Sequence, residues 1–266
     1  MPTPIRLIAL DLDGTLLSPQ KHITQPTLDA LLSISARGVH VVLASARPPR
    51  GVRPFYRALN LATPQINYNG SAIYLEPSRS FTYHQPLDPA AVASLAALID
   101  SHFPQAIYSV EHLDRWITHD YHHPYLMETA KLAPPDILTE RSAVIAHQAT
   151  KLMLHGPPET LDRLPFPQSL PPGLRMYRTD PFLLQFVHAS SSKAAALQQI
   201  CAQLDVPISQ VFAAGDADND IEMLRLAGTS AAMGDSPPEV QHSATFTTKS
   251  NREDGVLHAL QQLNLV

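Results

Sequence analysis

The sequence predicts an α/β protein whose parallel sheet is covered by helices and interrupted by an inserted α+β unit. Two nearly unbroken apolar runs, IRLIAL at 5–10 and VHVVLAS at 39–45, are typical of buried parallel strands. Helix-like segments alternate with these runs, as they do in βαβ units. In the middle of the chain short strand-like segments follow one another closely, and the alternation with helices returns near residue 190.

The first part of the chain predicts strand, helix, strand, helix and strand in that order. TQPTLDALLSISARG, residues 24–38, has the pattern of a helix, with Gly38 in the position of a C-terminal glycine. A proline-broken helix at 52–61 follows the second strand, and PQINYNGSAIY at 64–74 is strand-like with a turn at Asn69–Gly70. This order predicts that the three strands belong to one parallel sheet.

The middle of the chain predicts an antiparallel α+β unit. DPAAVASLAALIDSHF at 88–103 has the apolar spacing of a helix. Five short strand-like segments follow it, separated by proline-rich and polar stretches: QAIYSV, RWITHD, KLMLHG, LRMYRT and FLLQFVHA. Strands that come in pairs, with few helices between them, indicate antiparallel pairing.

The alternation of helix and strand resumes in the last part of the chain. Its segments are a helix at 191–206, a strand at 210–216, a helix at 220–228, a strand at 229–233 and a closing helix at 254–264. We therefore predict that residues 1–82 and 188–266 form one domain. Residues 83–187 would be inserted into it as a second domain.

Length, charge and hydropathy exclude several classes of protein. The chain has 266 residues, 44% of them apolar, and a formal net charge of −5, so no nucleic-acid partner is indicated. No apolar run approaches the ~18 residues of a membrane span, and the first residues lack the pattern of a signal peptide. A single cysteine, Cys201, excludes an internal disulfide and a cysteine-rich zinc site. We therefore expect a cytoplasmic protein with no nucleic-acid or membrane partner.

Polar residues that could carry chemistry follow the predicted strands, where open α/β sheets gather their functional groups. Asp11 and Asp13 follow the first strand, and Ser45 follows the second. Lys193 lies at the start of a predicted helix. The late strand ends in GDADND, which contains Asp216, Asp218, Asn219 and Asp220.

This many carboxylates would repel one another unless a cation lay between them. Oxygen ligands without histidine or cysteine favour Mg²⁺, which proteins usually hold with one or two carboxylates and a substrate phosphate. Lys193 and the Ser45 hydroxyl could then bind that phosphate. Asp11 and Asp13 lie two residues apart, so on an extended chain they share a face and could address one phosphorus atom. One could attack phosphorus, and the other could protonate the leaving oxygen and later activate water.

Four ordered motifs resemble those of the haloacid dehalogenase superfamily. They are DLDGT at 11–15, LASAR at 43–47, SSK at 191–193 and GDADND at 215–220. NYNGSAIY, DADNDIEML, AAMGDSP and REDGV resemble the Cof-type branch of that superfamily. The resemblance implies a Rossmann-like parallel-sheet core and an inserted α+β cap of type IIB, which would determine substrate specificity.

The resemblance also implies a role for each reacting residue. Asp11 would be the nucleophile and a Mg²⁺ ligand. Asp13 would be the general acid and base, with its backbone carbonyl on the metal, and Asp216 would be a further metal ligand. Ser45 and Lys193 would bind the phosphate, and Lys193 would also neutralise the nucleophile.

Asn219 and Asp220 have supporting roles by the same resemblance: they would ligate the metal through water or orient Lys193, and Asn219 would also help to bind the phosphate. Arg47 and Asn69 follow the strands of the phosphate site, so either could contact the substrate. The second motif reads Ser-Ala-Arg where the family usually has Thr-Gly-Arg, a change that keeps the hydroxyl.

The sequence therefore predicts a Mg²⁺-dependent phosphatase that hydrolyses small phosphomonoesters, such as sugar phosphates, through an aspartyl phosphate. The alternative is a phosphosugar mutase of the phosphomannomutase type, which would return the phosphoryl group to the substrate. The expected partner is a small phosphorylated metabolite. Its identity, the residues of the inserted domain that select it and the oligomeric state stay open.

HDYHH at 119–123 is a further polar segment, within the predicted insertion. It follows a strand-like stretch and runs into a proline, which favours a surface loop. Substrate contact and a metal site are the alternatives, although the sequence identifies no third ligand.

Overall fold

The computed structural model describes residues 4–126 and 134–266. The chain divides into two compact units. The core unit is Met1–Tyr83 with Ser192–Val266, and the inserted unit is His84–Ser191. The domain boundaries predicted from the sequence lie after residues 82 and 187. The predicted fold class is confirmed, since one unit contains a parallel sheet with helices and the other a largely antiparallel sheet.

Strands and helices are numbered here in chain order over the described residues. The strands are β1 (Leu7–Leu10), β2 (His40–Leu43), β3 (Gln65–Asn67), β4 (Ala72–Leu75), β5 (Ser80–His84), β6 (Ile107–His112), β7 (Arg115–Thr118), β8 (Ile137–Leu138), β9 (Lys151–His155), β10 (Leu174–Asp180), β11 (Leu183–His188), β12 (Val211–Gly215), β13 (Thr229–Ala232) and β14 (Phe246–Thr247). The helices are α1 (Gln25–Ala36), α2 (Pro49–Ala58), α3 (Pro89–His102), α4 (Arg141–Ala146), α5 (Pro158–Leu161), α6 (Lys193–Gln203), α7 (Ile221–Leu226), α8 (Pro238–Gln241) and α9 (Gly255–Gln262).

The main sheet of the core unit has five parallel strands in the order β14-β13-β12-β1-β2. Strand β1 lies between β12 and β2 and pairs with both, with Leu7 opposite Val211 of β12 and His40 of β2. The carboxyl ends of β1, β2 and β12 therefore lie side by side at one edge. This register places the residues that follow the three strands close together.

Both faces of the main sheet are buried, which explains the unbroken apolar runs in its strands. Leu10 faces one side and belongs to an apolar cluster with Leu31 of α1. Its neighbour Ala9 faces the other side, in a cluster with Ile200 of α6. Strand side chains alternate between the two faces, so a strand covered on both sides needs apolar residues at every position.

The third predicted strand differs from the expectation. PQINYNGSAIY forms two antiparallel strands, β3 and β4, joined by a short 3₁₀ turn at Tyr68–Gly70. With β5 they make a separate three-stranded sheet. One parallel bridge, between Ala44 and Ile66, continues the main sheet towards β3. A strand of three residues is too short for its apolar pattern to distinguish a hairpin from one longer strand.

The inserted unit contains a six-stranded sheet in the order β10-β11-β9-β6-β7-β8. Neighbouring strands are antiparallel, except that β7 and β8 run parallel. Leu95 of α3 and Val144 of α4 share an apolar cluster with Leu154 of the sheet. The N-terminus of α3 is capped by Asp88, whose side chain accepts a hydrogen bond from the backbone N–H of Ala90 at 2.8 Å.

The segment 119–123 is only partly the surface loop that the sequence favoured. His122 is exposed, but His123 is buried, and its ring centroid lies 4.8 Å from that of His155 on β9. His119 accepts a hydrogen bond from the backbone N–H of Tyr108 at 3.2 Å. The segment therefore packs against the sheet of the inserted unit, a contact that a local pattern does not reveal.

None of the helices within the described residues combines the length and the apolar character required to cross a membrane.

Gly70 and Gly38 allow a direct test of how the turn after β3 is held. Both have positive φ, +94° and +85°, but a Cβ at Gly70 would overlap the backbone carbonyl of Ser192, whereas one at Gly38 meets nothing within 4 Å. We expect Gly38→Ala to lower the free energy of unfolding by about 1 kcal/mol, the cost of left-handed backbone. Gly70→Ala should cost more than about 2 kcal/mol, because a packed backbone must also move.

Urea unfolding, followed by circular dichroism, measures the free energy of unfolding of both variants. Equal losses at Gly70 and Gly38 would show that the close approach of Gly70 to Ser192 contributes nothing to stability.

Candidate active site

The ends of β1 and β12 bring two aspartates together. Asp11 directly follows β1, and its backbone N–H donates to the carbonyl of Ala214 on β12 at 3.1 Å. Asp216 directly follows β12 and accepts a hydrogen bond from the Thr15 hydroxyl at 2.8 Å. Gly14 lies against Asp216: its φ is +87°, and a Cβ there would overlap the Asp216 carboxylate. The glycine of DLDGT is thus required both by the backbone conformation and by this close approach.

Lys193 lies between two of the carboxylates. It is the first residue of α6, whose N-terminus is capped by Ser192, the acceptor of a 3.1 Å hydrogen bond from the backbone N–H of Ala195. The Lys193 ammonium is fully buried and donates to Asp11 at 2.5 Å and to Asp220 at 2.7 Å. The helix start therefore delivers one positive charge to the end of β1.

Asp220 holds two parts of the site at once. One of its oxygens accepts from Lys193, and the other accepts from the backbone N–H groups of Asp216 and Ala217 at 3.0 and 3.1 Å. Its side chain is completely buried. The Asp220 carboxylate thus links the loop after β12 to the Lys193 ammonium.

The site carries more negative than positive charge. Asp11, Asp216 and Asp220 each offer an oxygen, and these three atoms lie within 4.8 Å of one another. Burial, opposed by Lys193 but reinforced by the two other carboxylates, raises the pKa of Asp11 well above its usual range. Burial and the nearby Asp220 raise the pKa of Asp216 to about 6. Although burial opposes it, the charges of Asp11 and Asp220 raise the pKa of Lys193, so the ammonium stays charged.

This donor set fits a hard divalent cation. Its ligands are carboxylate oxygens without histidine or cysteine, the set that Mg²⁺ prefers. The raised pKa values of Asp11 and Asp216 reflect burial and an excess of neighbouring negative charge, which a bound cation would offset. Asp220 is already committed to Lys193 and the backbone, so Asp11 and Asp216 are the carboxylates best placed to bind a cation.

Ser45, Asn69 and Asn219 lie together at the same edge of the sheet. The carbonyl of Ser45 accepts from the backbone N–H of Asn69 at 3.1 Å, and the side-chain oxygen of Asn69 accepts from Asn219 at 2.9 Å. Asn69 has left-handed backbone with a φ of 56°, and its completely buried Nδ2 has no hydrogen-bond partner within the described residues. A buried unpaired donor is costly, which indicates a site prepared for an acceptor.

Asp13 has partners different from those of Asp11. Its two oxygens accept from the Nε and Nη2 atoms of Arg47, each at 2.6 Å, and Oδ1 also accepts from Lys21 Nζ at 2.6 Å. A turn begins at Leu12, between the two aspartates. That Asp11 and Asp13 share a face therefore stays a prediction. Asp13 is not a member of the three-aspartate group found among the described residues.

The surroundings of Asp13 favour its charged form. Although burial acts to raise it, the hydrogen bonds and charges of Arg47 and then of Lys21 hold the pKa of Asp13 below its usual range. Asp11 and Asp13 thus have pKa values displaced in opposite directions, because carboxylates crowd the buried Asp11 whereas two cations contact Asp13.

Lys21 is a residue of this site that the sequence analysis missed. It lies eight residues after Asp13, outside each of the four motifs, and nothing in its local pattern distinguishes it from a solvated lysine. The turn at 18–22 brings it back to Asp13, and only the folded chain shows this.

Comparison with known proteins identifies the family. A model described as haloacid dehalogenase-like hydrolase matches residues 8–260, nearly the whole chain and both of its units. The chain belongs to the haloacid dehalogenase-like hydrolases. The resemblance to the Cof-type branch, stated from the motifs alone, is confirmed by this match and by the relatives below.

Three similar proteins show how far this likeness extends. The chain is 29% identical to 5-amino-6-(5-phospho-D-ribitylamino)uracil phosphatase YitU of Bacillus subtilis and 30% identical to the putative phosphatase YxeH of the same organism, each alignment covering 98% of both chains. A crystal structure of a haloacid dehalogenase-like hydrolase from Bacteroides thetaiotaomicron superposes with a TM-score of 0.84 at 27% identity, covering 97% of this chain and 99% of that one.

This haloacid dehalogenase-like hydrolase is thus an enzyme that hydrolyses phosphomonoesters, as the sequence predicted. The likeness includes the inserted unit, because the aligned regions cover almost all of each chain.

Metal binding should compete with protons at Asp216. Because its pKa in the folded protein is raised to about 6, the metal-free fold gains stability from protonation at low pH and loses it as the pH rises through about 6. Mg²⁺ would replace that proton. We therefore expect Mg²⁺ to raise the Tm of the EDTA-treated protein more at about pH 7.5 than at about pH 5.

Differential scanning fluorimetry with and without MgCl₂ measures this shift. Asp216→Asn, which keeps the shape of the side chain and removes its charge, should abolish most of it. The same Mg²⁺ shift at both pH values, or in the variant, would contradict metal binding at Asp216.

Proposed function

We propose that this phosphatase is Mg²⁺-dependent and hydrolyses small phosphorylated metabolites, sugar phosphates or similar compounds, through a phosphorylated Asp11. The observation that carries the proposal is the buried ion pair between Lys193 and Asp11, beside the carboxylate of Asp216. A carboxylate oriented by an ammonium and crowded by other carboxylates suits reaction at a phosphate whose charge needs several positive partners.

In the first step Asp11 attacks phosphorus. A bond forms between its carboxylate oxygen and phosphorus, and the bond from phosphorus to the ester oxygen breaks. Asp13 gives a proton to that leaving oxygen, which departs as an alcohol. Since Arg47 and Lys21 favour ionised Asp13 in the resting protein, the proton arrives with the substrate. The monoanion of a phosphate ester, whose last proton has a pKa of about 6, carries one.

In the second step water attacks the phosphorus of the aspartyl phosphate. Asp13, now ionised again, takes a proton from that water. The bond between phosphorus and the Asp11 oxygen breaks, which releases inorganic phosphate and restores the carboxylate. Asp13 thus returns to its proton-carrying state, and the proton leaves with phosphate or is passed to the next substrate.

The carboxylates of Asp11 and Asp216 and the backbone carbonyl of Asp13 would hold Mg²⁺. When bound, the metal supplies positive charge to the phosphate oxygens as negative charge develops on them. Lys193 supplies a second positive charge from the first position of α6, and it is fixed there by Asp220. Ionic partners that are already in place need no rearrangement during reaction.

Other side chains near the site could donate hydrogen bonds to the phosphate. The Ser45 hydroxyl can donate to a phosphate oxygen, and Asn219 lies beside it through Asn69. The unpaired Nδ2 of Asn69 is a further donor. Nε and Nη2 of Arg47 donate to Asp13, so a contact of Arg47 with the substrate would use its remaining donors.

We assign selection of the leaving group to the inserted domain, predicted at residues 83–187. The relatives favour small phosphorylated metabolites as substrates, and one of them is named for a phosphorylated ribitylamino pyrimidine. A screen should therefore include that compound with hexose and pentose phosphates, nucleotides, flavin mononucleotide and pyridoxal phosphate.

Release of inorganic phosphate across this panel, with Mg²⁺ and with EDTA, tests the proposed function. Asp11→Asn should lower kcat by on the order of 10⁴-fold or more, because the amide cannot form the acyl phosphate, while the far-UV spectrum stays unchanged. Retained Mg²⁺-dependent turnover in this variant would exclude Asp11 as the nucleophile. Formation of a hexose 1-phosphate from a hexose 6-phosphate, without free phosphate, would favour the mutase.

Asn69→Ala tests the phosphate contact separately from the chemistry. If Nδ2 donates to bound substrate, KM should rise by about tenfold, the value of one hydrogen bond to a charged group, while kcat changes less. Asn69→Asp should be worse, because it places a negative charge at the phosphate. Unchanged KM in both variants, measured by phosphate release at saturating Mg²⁺, would remove Asn69 from the site.

A further inference from the structure

Lys21 makes a contact that the proposed mechanism leaves unexplained. Its Nζ donates to Oδ1 of Asp13 at 2.6 Å, and Nη2 of Arg47 donates to the same oxygen, also at 2.6 Å. Oδ2 accepts from Nε of Arg47. Oδ1 therefore takes two of these three bonds, and Oδ2 keeps the greater capacity to carry a proton.

The backbone at Lys21 is unusual for this residue type. Lys21 N–H donates to the Ser18 carbonyl at 2.8 Å, and Ser18 N–H donates to the His22 carbonyl at 2.9 Å, which closes a tight turn. Lys21 has a φ of 61° in this turn, a left-handed conformation in which glycine or asparagine would be unstrained. The chain thus has a long charged side chain at a position whose conformation suits glycine.

The exposure of the Lys21 and Asp13 side chains also indicates that their ion pair is not there for stability. The Lys21 side chain is 54% exposed and that of Asp13 is 40% exposed. A lysine with such access to water loses side-chain freedom when it is held in one geometry, and an exposed ion pair contributes little to stability. Strain combined with a fixed charge at a reacting group points to a functional reason for the lysine.

We propose that Lys21 is a positioning residue for Asp13, an inference that rests on the proposed function. Arg47 fixes the plane of the carboxylate, and Lys21 fixes Oδ1 within that plane. Oδ2 is thereby directed to the leaving oxygen in the first step and to water in the second. Proton transfer requires the acid within hydrogen-bond reach, and a small displacement lowers the rate strongly.

The dependence of rate on the leaving group distinguishes this role from a structural one. The value of kcat/KM reports cleavage of the ester bond, before hydrolysis of the aspartyl phosphate. A sugar phosphate has an alkoxide leaving group that must be protonated, whereas p-nitrophenyl phosphate releases a stable anion that needs no proton. A misplaced acid should therefore slow the first ester and spare the second.

The test compares three variants of Lys21, using p-nitrophenyl phosphate and the sugar phosphate that the wild-type enzyme cleaves fastest. Lys21→Met should lower kcat/KM for the sugar phosphate by about tenfold, because a misplaced general acid loses part of its contribution to the rate. For p-nitrophenyl phosphate it should change kcat/KM by less than about twofold. Lys21→Arg, which keeps the charge, should restore most of the lost rate.

Lys21→Gly separates function from turn stability. Glycine suits the left-handed conformation, so Tm should not fall, yet the rate with the sugar phosphate should fall as it does in Lys21→Met. Equal losses with both esters, or a loss of rate that follows a loss of Tm, would overturn the positioning role.

A double-mutant cycle with Asp13→Asn completes the test. In that background Lys21→Met should have no further effect on the sugar phosphate, since the residue acts through Asp13. A further loss of about tenfold would instead show that Lys21 contacts the substrate, which overturns the proposal. If the wild-type enzyme releases no phosphate from either ester with Mg²⁺, the proposed function itself fails, and the assignment of Lys21 fails with it.

Discussion

The buried ammonium of Lys193 is the interaction on which the candidate site depends. It joins Asp11 at the end of β1 to Asp220 after β12, and it stands at the first position of α6. Removing one member of a buried ion pair leaves a charge without compensation, at a cost of about 3–5 kcal/mol. Three segments far apart in sequence are therefore held in one arrangement by charge as well as by the apolar core.

The same arrangement leaves a deficit of positive charge that explains the rest of the site. Three carboxylates surround one ammonium, and the pKa values of Asp11 and Asp216 are raised in response. Asp13 lies in the opposite environment, where Arg47 and Lys21 favour its ionised form. Asp11 and Asp13 therefore lie two residues apart, and each has its own cationic partners.

Much of this could be predicted from local pattern. Nearly unbroken apolar runs predicted β1 and β2 of the main sheet, because a strand covered on both faces has few polar positions. Asp11, Ser45 and Asp216 were predicted to lie together because residues after parallel strands share one edge. The turn at Asn69–Gly70 was predicted, but the antiparallel pairing of β3 with β4 was not, since strands of three and four residues carry too little pattern. The buried position of His123 also escaped prediction, because its neighbour His155 is distant in sequence.

The sequence by itself determined the family, the class of reaction and the residue types that the chemistry needs, because four spaced motifs specify them. Only the tertiary structure decided which carboxylate faces which cation. Lys193 pairs with Asp11, whereas the turn at 18–22 returns Lys21 to Asp13. Charge pairing depends on distances of a few ångströms between side chains, and a linear pattern does not contain those distances.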